Sequence, residues 1–447
     1  MKYGLLIAAL LVAAAPMQAQ TAGTPATAVS LNTCVQEALT HNPSLQASAA
    51  RADAADARSR EAGTALLPQV RFTGRAMELS SVPVFTIAAP PPIGPLTLFP
   101  SITENYSAKI TVQQPLFTGF RLAKNREAAS YQADAAREDH RRDRDELILN
   151  VTTAYWNLYR ARRTQEAVHQ AVDQLDEHLR DVRNFAVQGL ATDADVLKVQ
   201  AQRAETVVRS IESDNAVRVA SMMLNSLMGR PVTGSLIPAD SLVAPDSGFA
   251  DTTPSLESLT ARAHETRPEM RSVDLRRRMG EAGVTAARAG WFPQISLAAD
   301  YEYARPNARI IPPKDRWDGT WDVGVLMQWN LWDWMATSHQ TAQAEATLRQ
   351  AEAGVAQTSD AVAIDVAQQY YAVAAARSKV TASADGLRQT AEVRRITHDR
   401  YRQGLATNTD LLDAETMLLQ ANVTYTNALV DLALAQIRLR RAAGEAL

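Results

Sequence analysis

The sequence predicts an α+β membrane protein made of two structural repeats, each joining a transmembrane β-hairpin to a long coiled-coil α-hairpin. Three observations predict it: an internal repeat along the whole chain, strands that alternate strictly between apolar and polar residues, and helical stretches too long for a compact domain.

The repeat comes first, because a missed repeat mis-assigns every element after it. Residues 188–192 (QGLAT) recur as residues 403–407, and residues 113–120 (QQPLFTGF) align with residues 328–335 (QWNLWDWM), both 215 positions on. Residues 42–45 (NPSL) match residues 267–270 (RPEM), and 68–70 (PQV) match 293–295 (PQI), at a spacing of 225. The extra 10 residues fall within residues 74–106 of the first copy, where PPPIGP at 90–95 marks a long loop. Each copy therefore reads helix, strand, loop, strand, long helix, turn, helix. Residues 229–254, rich in Pro, Gly and Ser, read as an irregular connector between the copies.

Residues 105–112 place Tyr106, Ala108, Ile110 and Val112 on one side and Asn105, Ser107, Lys109 and Thr111 on the other. Residues 294–303 repeat the pattern, with Ile295, Leu297, Ala299, Tyr301 and Tyr303 on the apolar side. Ten residues match the span of a tilted membrane strand, about 9–11. Val70 with Phe72, and Val323 with Val325, Met327 and Trp329, mark two further strands. Tyr301, Tyr303, Trp317, Trp321 and Trp329 fall at or near strand ends, where aromatic girdles meet the membrane interface. A half-buried strand of a soluble sheet has the same period; the export signal described below and the paired long helices favour the membrane.

No proline occurs between Pro115 and Pro231, and no glycine between Gly119 and Gly189. An uninterrupted helix of up to 69 residues follows, about 100 Å long. Leu147, Val151, Ala154, Leu158, Ala161, Gln165, Val168, Val172, Leu175, Leu179 and Val182 alternate steps of four and three, a coiled-coil seam. Residues 190–228 return as a shorter arm, and the helix at 43–67 has the length needed to stack on that arm and complete the partner. The charged run at 137–146 reads most simply as a solvated face.

Residues 1–19 read as a secretory signal: Lys2, then an apolar run, then a small residue at Ala19. Cys34 is the lone cysteine, so packing or assembly must supply what disulfides give other exported chains. Net charge of −3 excludes a basic footprint for nucleic acid, and no later apolar stretch approaches a membrane-spanning helix. The seven histidines show no metal-ligand spacing. No P-loop, dinucleotide fingerprint or nucleophile elbow is present, so no catalytic residue, metal or cofactor is expected.

The element order and the paired QGLAT turns resemble the TolC family of outer-membrane channel proteins over essentially the whole mature chain. The resemblance implies a homotrimer in which four strands per chain make a 12-stranded outer-membrane barrel continued by a periplasmic α-barrel. It implies outer-membrane lipid, a periplasmic adaptor (membrane fusion protein) and an inner-membrane transporter of the RND, ABC or MFS type as partners. By the same resemblance the helix turns form a periplasmic gate, with Tyr401, Asp410 and Asp413 in the second copy and Asp195 in the first. The adaptor-docking turns then comprise Gly189, Leu190, Thr192, Gly404, Leu405 and Thr407. Where the family's best-studied pattern has an arginine just after the turn glycine, this chain has Leu405-Ala406. Asp195 and Asp410 also fit capping boxes begun by Thr192 and Thr407, whereas Asp413 lies nearly a turn further in. Four strands cannot close a barrel alone, which independently requires several copies.

The expected divisions are a signal at 1–19, first-repeat N-terminal helices at 20–68, a transmembrane hairpin at 69–118 and a helical hairpin at 119–228. A connector at 229–256, the equatorial region in the family, precedes helices at 257–293, a second transmembrane hairpin at 294–330 and a second helical hairpin at 331–447. The expected function is an exit duct for small-molecule efflux. The alternatives are a type I protein secretion duct or, from another class, a periplasmic coiled-coil adaptor.

Overall fold

The computed structural model describes residues 27–88, 90–92, 94–242 and 254–447; the signal at 1–19 lies outside them. The first half runs β1 (Thr27–Val29), α1 (Leu31–His41), α2 (Pro43–Thr64), β2 (Gln69–Glu78), β3 (Phe85–Ile87), β4 (Leu96–Phe99), β5 (Glu104–Phe117), α3 (Arg121–Val187) and α4 (Asp193–Leu227). After β6 (Leu236–Pro238) come α5 (Leu256–Thr266), α6 (Pro268–Ala287), a 3-10 turn (Arg288–Trp291), β7 (Gln294–Arg305), β8 (Asp318–Gln328), α7 (Ala336–Arg402) and α8 (Asn408–Ala442). α3 and α7 both have 67 residues and α4 and α8 both have 35, so the duplication governs the architecture.

The order β2-β5-β7-β8 forms one antiparallel sheet, and its register turns the alternation of single strands into two continuous faces. Phe72, Ile110, Tyr301 and Trp321 share one row, and Val70, Val112, Ala299 and Val323 form the next on the same face. The opposite face carries the rows Arg71, Thr111, Asp300, Asp322 and Thr73, Lys109, Glu302, Thr320. On that face Lys109 pairs with Asp300 at 3.2 Å, and Thr111 donates to the same carboxylate. A one-residue slip would exchange the faces along an entire strand, so the pattern pins the register. The apolar side chains stay open to the surroundings, Phe72 at 69% and Trp321 at 71% exposure.

Trp317 stacks on Tyr303 at 5.0 Å and lies 6.1 Å from Tyr106 at the sheet end away from the long helices. At the other end Trp329 Nε1 donates to the Trp291 carbonyl at 3.2 Å. The turn into α7 adds exposed Trp332 and Trp334, edge to face at 5.8 Å, which the strand pattern does not single out.

Each long helix has two shorter partners, one towards the sheet and one towards the far tip. α3 packs with α2 and α6 near the sheet and with α4 and α8 beyond. The ends of α4 and α2 meet at Asn42. Its Oδ1 caps α2 by accepting from the N–H groups of Ser44 and Leu45 (2.9 and 3.2 Å), and its Nδ2 donates to the Leu227 carbonyl at 2.9 Å. Gly229 permits the approach: at φ 71°, a Cβ there would lie 2.8 Å from the His41 carbonyl oxygen.

Arg267 occupies the equivalent joint between α8 and α6, with Pro268 as the first helical residue. It is 7% exposed; Nη1 donates to Asp365 at 2.9 Å and reaches the Ala442 carbonyl at 3.5 Å, while Nη2 donates to Glu269 at 3.1 Å. Burial works against the charge of Glu269, but the hydrogen bond and charge of Arg267 outweigh it and hold the Glu269 pKa below its ordinary value.

Three sequence expectations need correction. The charged run at 137–146 is more than a solvated face: α3 is flanked there by α2 and α6, so its charges pair sideways. Asp139 accepts from Ser272 and Arg276 (2.8 and 2.5 Å), Arg137 binds Asp56 (2.6 Å), and Ser48 donates to Asp143 (2.6 Å). The connector is not wholly irregular, since β6 pairs in parallel with β1. Buried Tyr155 ties this pair to α3, its hydroxyl lying 2.7 Å from Asp240 Oδ2 and 3.1 Å from the Val29 carbonyl. Finally, the long loop of the first copy contains the small β3–β4 hairpin.

Candidate functional site at the helix tips

Two turns end the helical hairpins. At the first, Gly189 adopts φ 76°, its N–H donates to the Ala186 carbonyl at 3.0 Å, and the Leu190 N–H reaches back to Phe185 at 2.8 Å. The second repeats this with Gly404 at φ 71° and Leu405 donating to Arg400 at 2.8 Å. Such reverse bonds satisfy carbonyls that a helix end leaves without partners, and glycine adopts the left-handed conformation without strain. Leu190 and Leu405 project outward, 74% and 63% exposed.

Both return helices begin with a complete capping box. The Thr192 N–H and hydroxyl donate to Asp195 Oδ2 at 3.1 and 2.7 Å, and those of Thr407 donate to Asp410 Oδ2 at 2.8 and 2.7 Å. The threonine hydroxyls, then the threonine N–H groups, hold both carboxyls below the usual aspartate range. Asp195 and Asp410 are therefore committed to their own helix starts. Asp413 is exposed and has no side-chain hydrogen bond or ion pair among the described residues.

Tyr401 faces inward between the hairpins. Its ring meets His178 at 5.2 Å and Phe185 at 6.1 Å, and it packs on a cluster formed by Leu175, Leu179, Val182, Val199 and Leu412. Burial, then the charges of Asp195 and Asp181, raise its pKa. Tyr401 and Asp195 thus share one interface, while Asp410 and Asp413 stand on the exposed side of α8.

His178 and Asn408 complete that interface, and no sequence motif singles them out. His178 Nε2 lies 2.6 Å from Asn408 Oδ1, and Asn408 Nδ2 donates to the Asp195 carbonyl at 3.3 Å, so one amide links α3, α4 and α8. With the amide nitrogen directed at Asp195, its oxygen must accept, so His178 Nε2 carries a proton and donates. Burial lowers the His178 pKa, with His398 of α7 acting the same way and Asn408 and Asp181 opposing; Tyr401 and Asp195 complete the titratable surroundings.

A histidine depressed in the packed state leaves packing fully favourable above its ordinary pKa of about 6.5, and packing weakens as pH falls below that value. Spin labels at Leu190 and Leu405 are expected to move apart between pH 7.5 and 5.5. His178→Gln, which keeps a donor but cannot titrate, is expected to abolish the change; an unaltered response in that variant would assign it elsewhere.

Among the described residues, no helix is long and apolar enough to cross a membrane. The profile of the family described as "Outer membrane efflux protein" matches residues 34–230 and 259–445. The outer membrane efflux protein BepC of Brucella suis is 26% identical over 336 residues, 75% of this chain and 71% of the relative. The outer membrane protein TolC of Vibrio cholerae is 23% identical over 412 residues, 91% of this chain and 89% of the relative. The solved structure of VceC from Vibrio cholerae superposes with a TM-score of 0.76 at 22% identity, covering 93% of this chain and 96% of that one. The fold is thus that of outer-membrane channels whose strands span the membrane and whose helices extend into the periplasm. With the family profile matched across both repeats, the chain belongs to the outer membrane efflux protein family, the TolC type of non-enzymatic transport channel.

Proposed function

We propose that this chain is the outer-membrane exit duct of a tripartite efflux pump. As a homotrimer, it receives small toxic molecules from an inner-membrane transporter through a periplasmic adaptor and is gated at its helix tips. The observation that carries the reading is the two-faced sheet with edges at β2 and β8. Open edges are not tolerated in lipid, and three copies of four strands give a barrel within the known size range. The coiled-coil layer supports assembly too, because α4 leaves Leu197, Val208, Ile211 and Met223 exposed and α7 leaves Ile364 and Tyr371 exposed.

At the tip, exposed Asp413 would be repeated by the threefold axis as a ring of carboxylates that attracts cations. Asp410 lies on the same exposed side, though its capping bonds restrain it. The exposed turns at Gly189, Leu190, Gly404 and Leu405 are the proposed adaptor contacts. The aromatic residues at the sheet ends, including Tyr303, Trp317 and Trp329, are the proposed interface anchors.

The test is single-channel recording in planar bilayers. The unaltered protein is expected to conduct with cation preference and block by multivalent cations. Asp413→Ala is expected to reduce both at unchanged assembly, and Asp410→Ala also to loosen the start of α8. Unchanged selectivity in both variants would remove the carboxylate ring from the reading, and absence of any conductance would remove the duct.

A further inference from the structure

The two free edges of the sheet carry opposite charges on the same face. β2 presents Arg71 and Arg75, and no described carboxylate pairs with either; Arg75 instead reaches Met77 Sδ, 2.9 Å from its Nε. β8 presents Asp318 and Asp322. Asp318 is engaged by Arg316 at 3.0 Å and its side chain is 17% exposed. Asp322 meets Arg309 through one oxygen at 3.4 Å, and its side chain is 59% exposed, leaving the second oxygen available. The ladder shows that these groups share a face: Arg71 lies in one row with Asp322, and Arg75 in another with Asp318.

We propose that Arg75 pairs with Asp322 of a neighbouring copy of this chain and that the pair sets the register of the seam between copies; the inference rests on the trimeric reading above. Three successive antiparallel pairings make β8 antiparallel to β2, so a second copy can continue the ladder. Alternation permits only registers that keep the apolar side chains on one face. Among these, a single register gives every residue of β2, Gln69–Glu78, a partner within β8, Asp318–Gln328: the one that sets Arg75 opposite Asp322. The same register sets Val70 against Met327, Phe72 against Val325 and Ala76 against Trp321, so the apolar face continues across the seam. An unstaggered seam would set Arg71 opposite Asp322 instead, but closing tilted strands into a barrel requires a stagger between copies. Opposite charges placed directly across a strand pair favour that register, and like charges there oppose it.

The experiment uses the full chain carrying Cys34→Ala. Arg75→Cys with Asp322→Cys is expected to give covalent trimers on mild oxidation, whereas Arg71→Cys with Asp322→Cys is not. In parallel, Arg75→Asp or Asp322→Arg alone is expected to lower the yield of detergent-resistant, heat-dissociable trimer at least tenfold, and the two together to restore it to within twofold. Crosslinking through position 71, no crosslink at either pair, or no rescue by the double reversal overturns the proposed seam while leaving the duct intact. An unsubstituted chain that forms no oligomer overturns the duct reading along with it.

Discussion

Arg267→Ala is expected to destabilise the folded chain by about 3–5 kcal/mol, because removing one partner of a buried ion pair strands the other charges. Arg267 is 7% exposed, and its guanidinium serves Glu269, Asp365 and the Ala442 carbonyl at the end of α8 at once. Its loss leaves Arg441, at 3.6 Å, as the remaining ion-pair partner of Glu269 among the described residues. Thermal unfolding followed by far-ultraviolet dichroism should show the change, with the loss concentrated where α8 meets α6. Asn42→Ala at the corresponding joint removes neutral hydrogen bonds and is expected to cost less, on the order of 1–2 kcal/mol. Equal losses at both joints would mean that the charges of the second contribute nothing beyond its hydrogen bonds.

Ile110→Arg is expected to cost about 2–4 kcal/mol per chain near the bilayer midplane, whereas Thr111→Arg should fold almost normally. The two residues are neighbours on β5, but Ile110 shares the apolar row with Phe72 and Tyr301, and Thr111 the polar row with Arg71 and Asp300. Refolding into lipid vesicles, read by the heat-dependent gel shift of a folded barrel, separates the cases. Equal sensitivity at both positions would contradict a sheet with lipid on one side and water on the other. In a soluble sheet packed on one face, an exposed apolar row would instead tolerate the charge.

What can be read from the sequence depends on how local its signal is. The alternation in residues 105–112 and 294–303 is written within each strand, and it carries across the four-stranded ladder except where the register shifts between Pro115 and Phe117. The seam on α3 is equally legible, and Leu147, Val151, Leu158, Leu175, Leu179 and Val182 are all buried. Ile148, Tyr155 and Tyr159 are buried as well, outside that seam, because the middle of α3 has more than one partner.

Non-local features are not legible. In the sequence His178 is one scattered histidine among seven, and its meaning arises only when Asn408, 230 residues away, comes within 2.6 Å. One signal is available: His178 precedes Leu179, a seam residue, where a polar side chain needs a partner. Arg267 is recognisable as the repeat equivalent of Asn42, yet the two meet the same need by different chemistry, which alignment of the copies does not reveal. The exposed tryptophans after β8 escape a search for alternation because they stand in a turn rather than in a strand.

The interrupted partners of the long helices have a mechanical consequence. α3 and α7 run from the sheet to the tips as unbroken rods, while the rods beside them are cut at Asn42 and Arg267. Torque applied at the tips reaches the sheet directly through the unbroken rods, whereas the cut ones pass it through end-to-end joints, hydrogen bonds at Asn42 and buried ion pairs at Arg267. Any untwisting of the far half of an arm would therefore centre on the level of Asn42 and Arg267, with the portion nearer the bilayer keeping its shape.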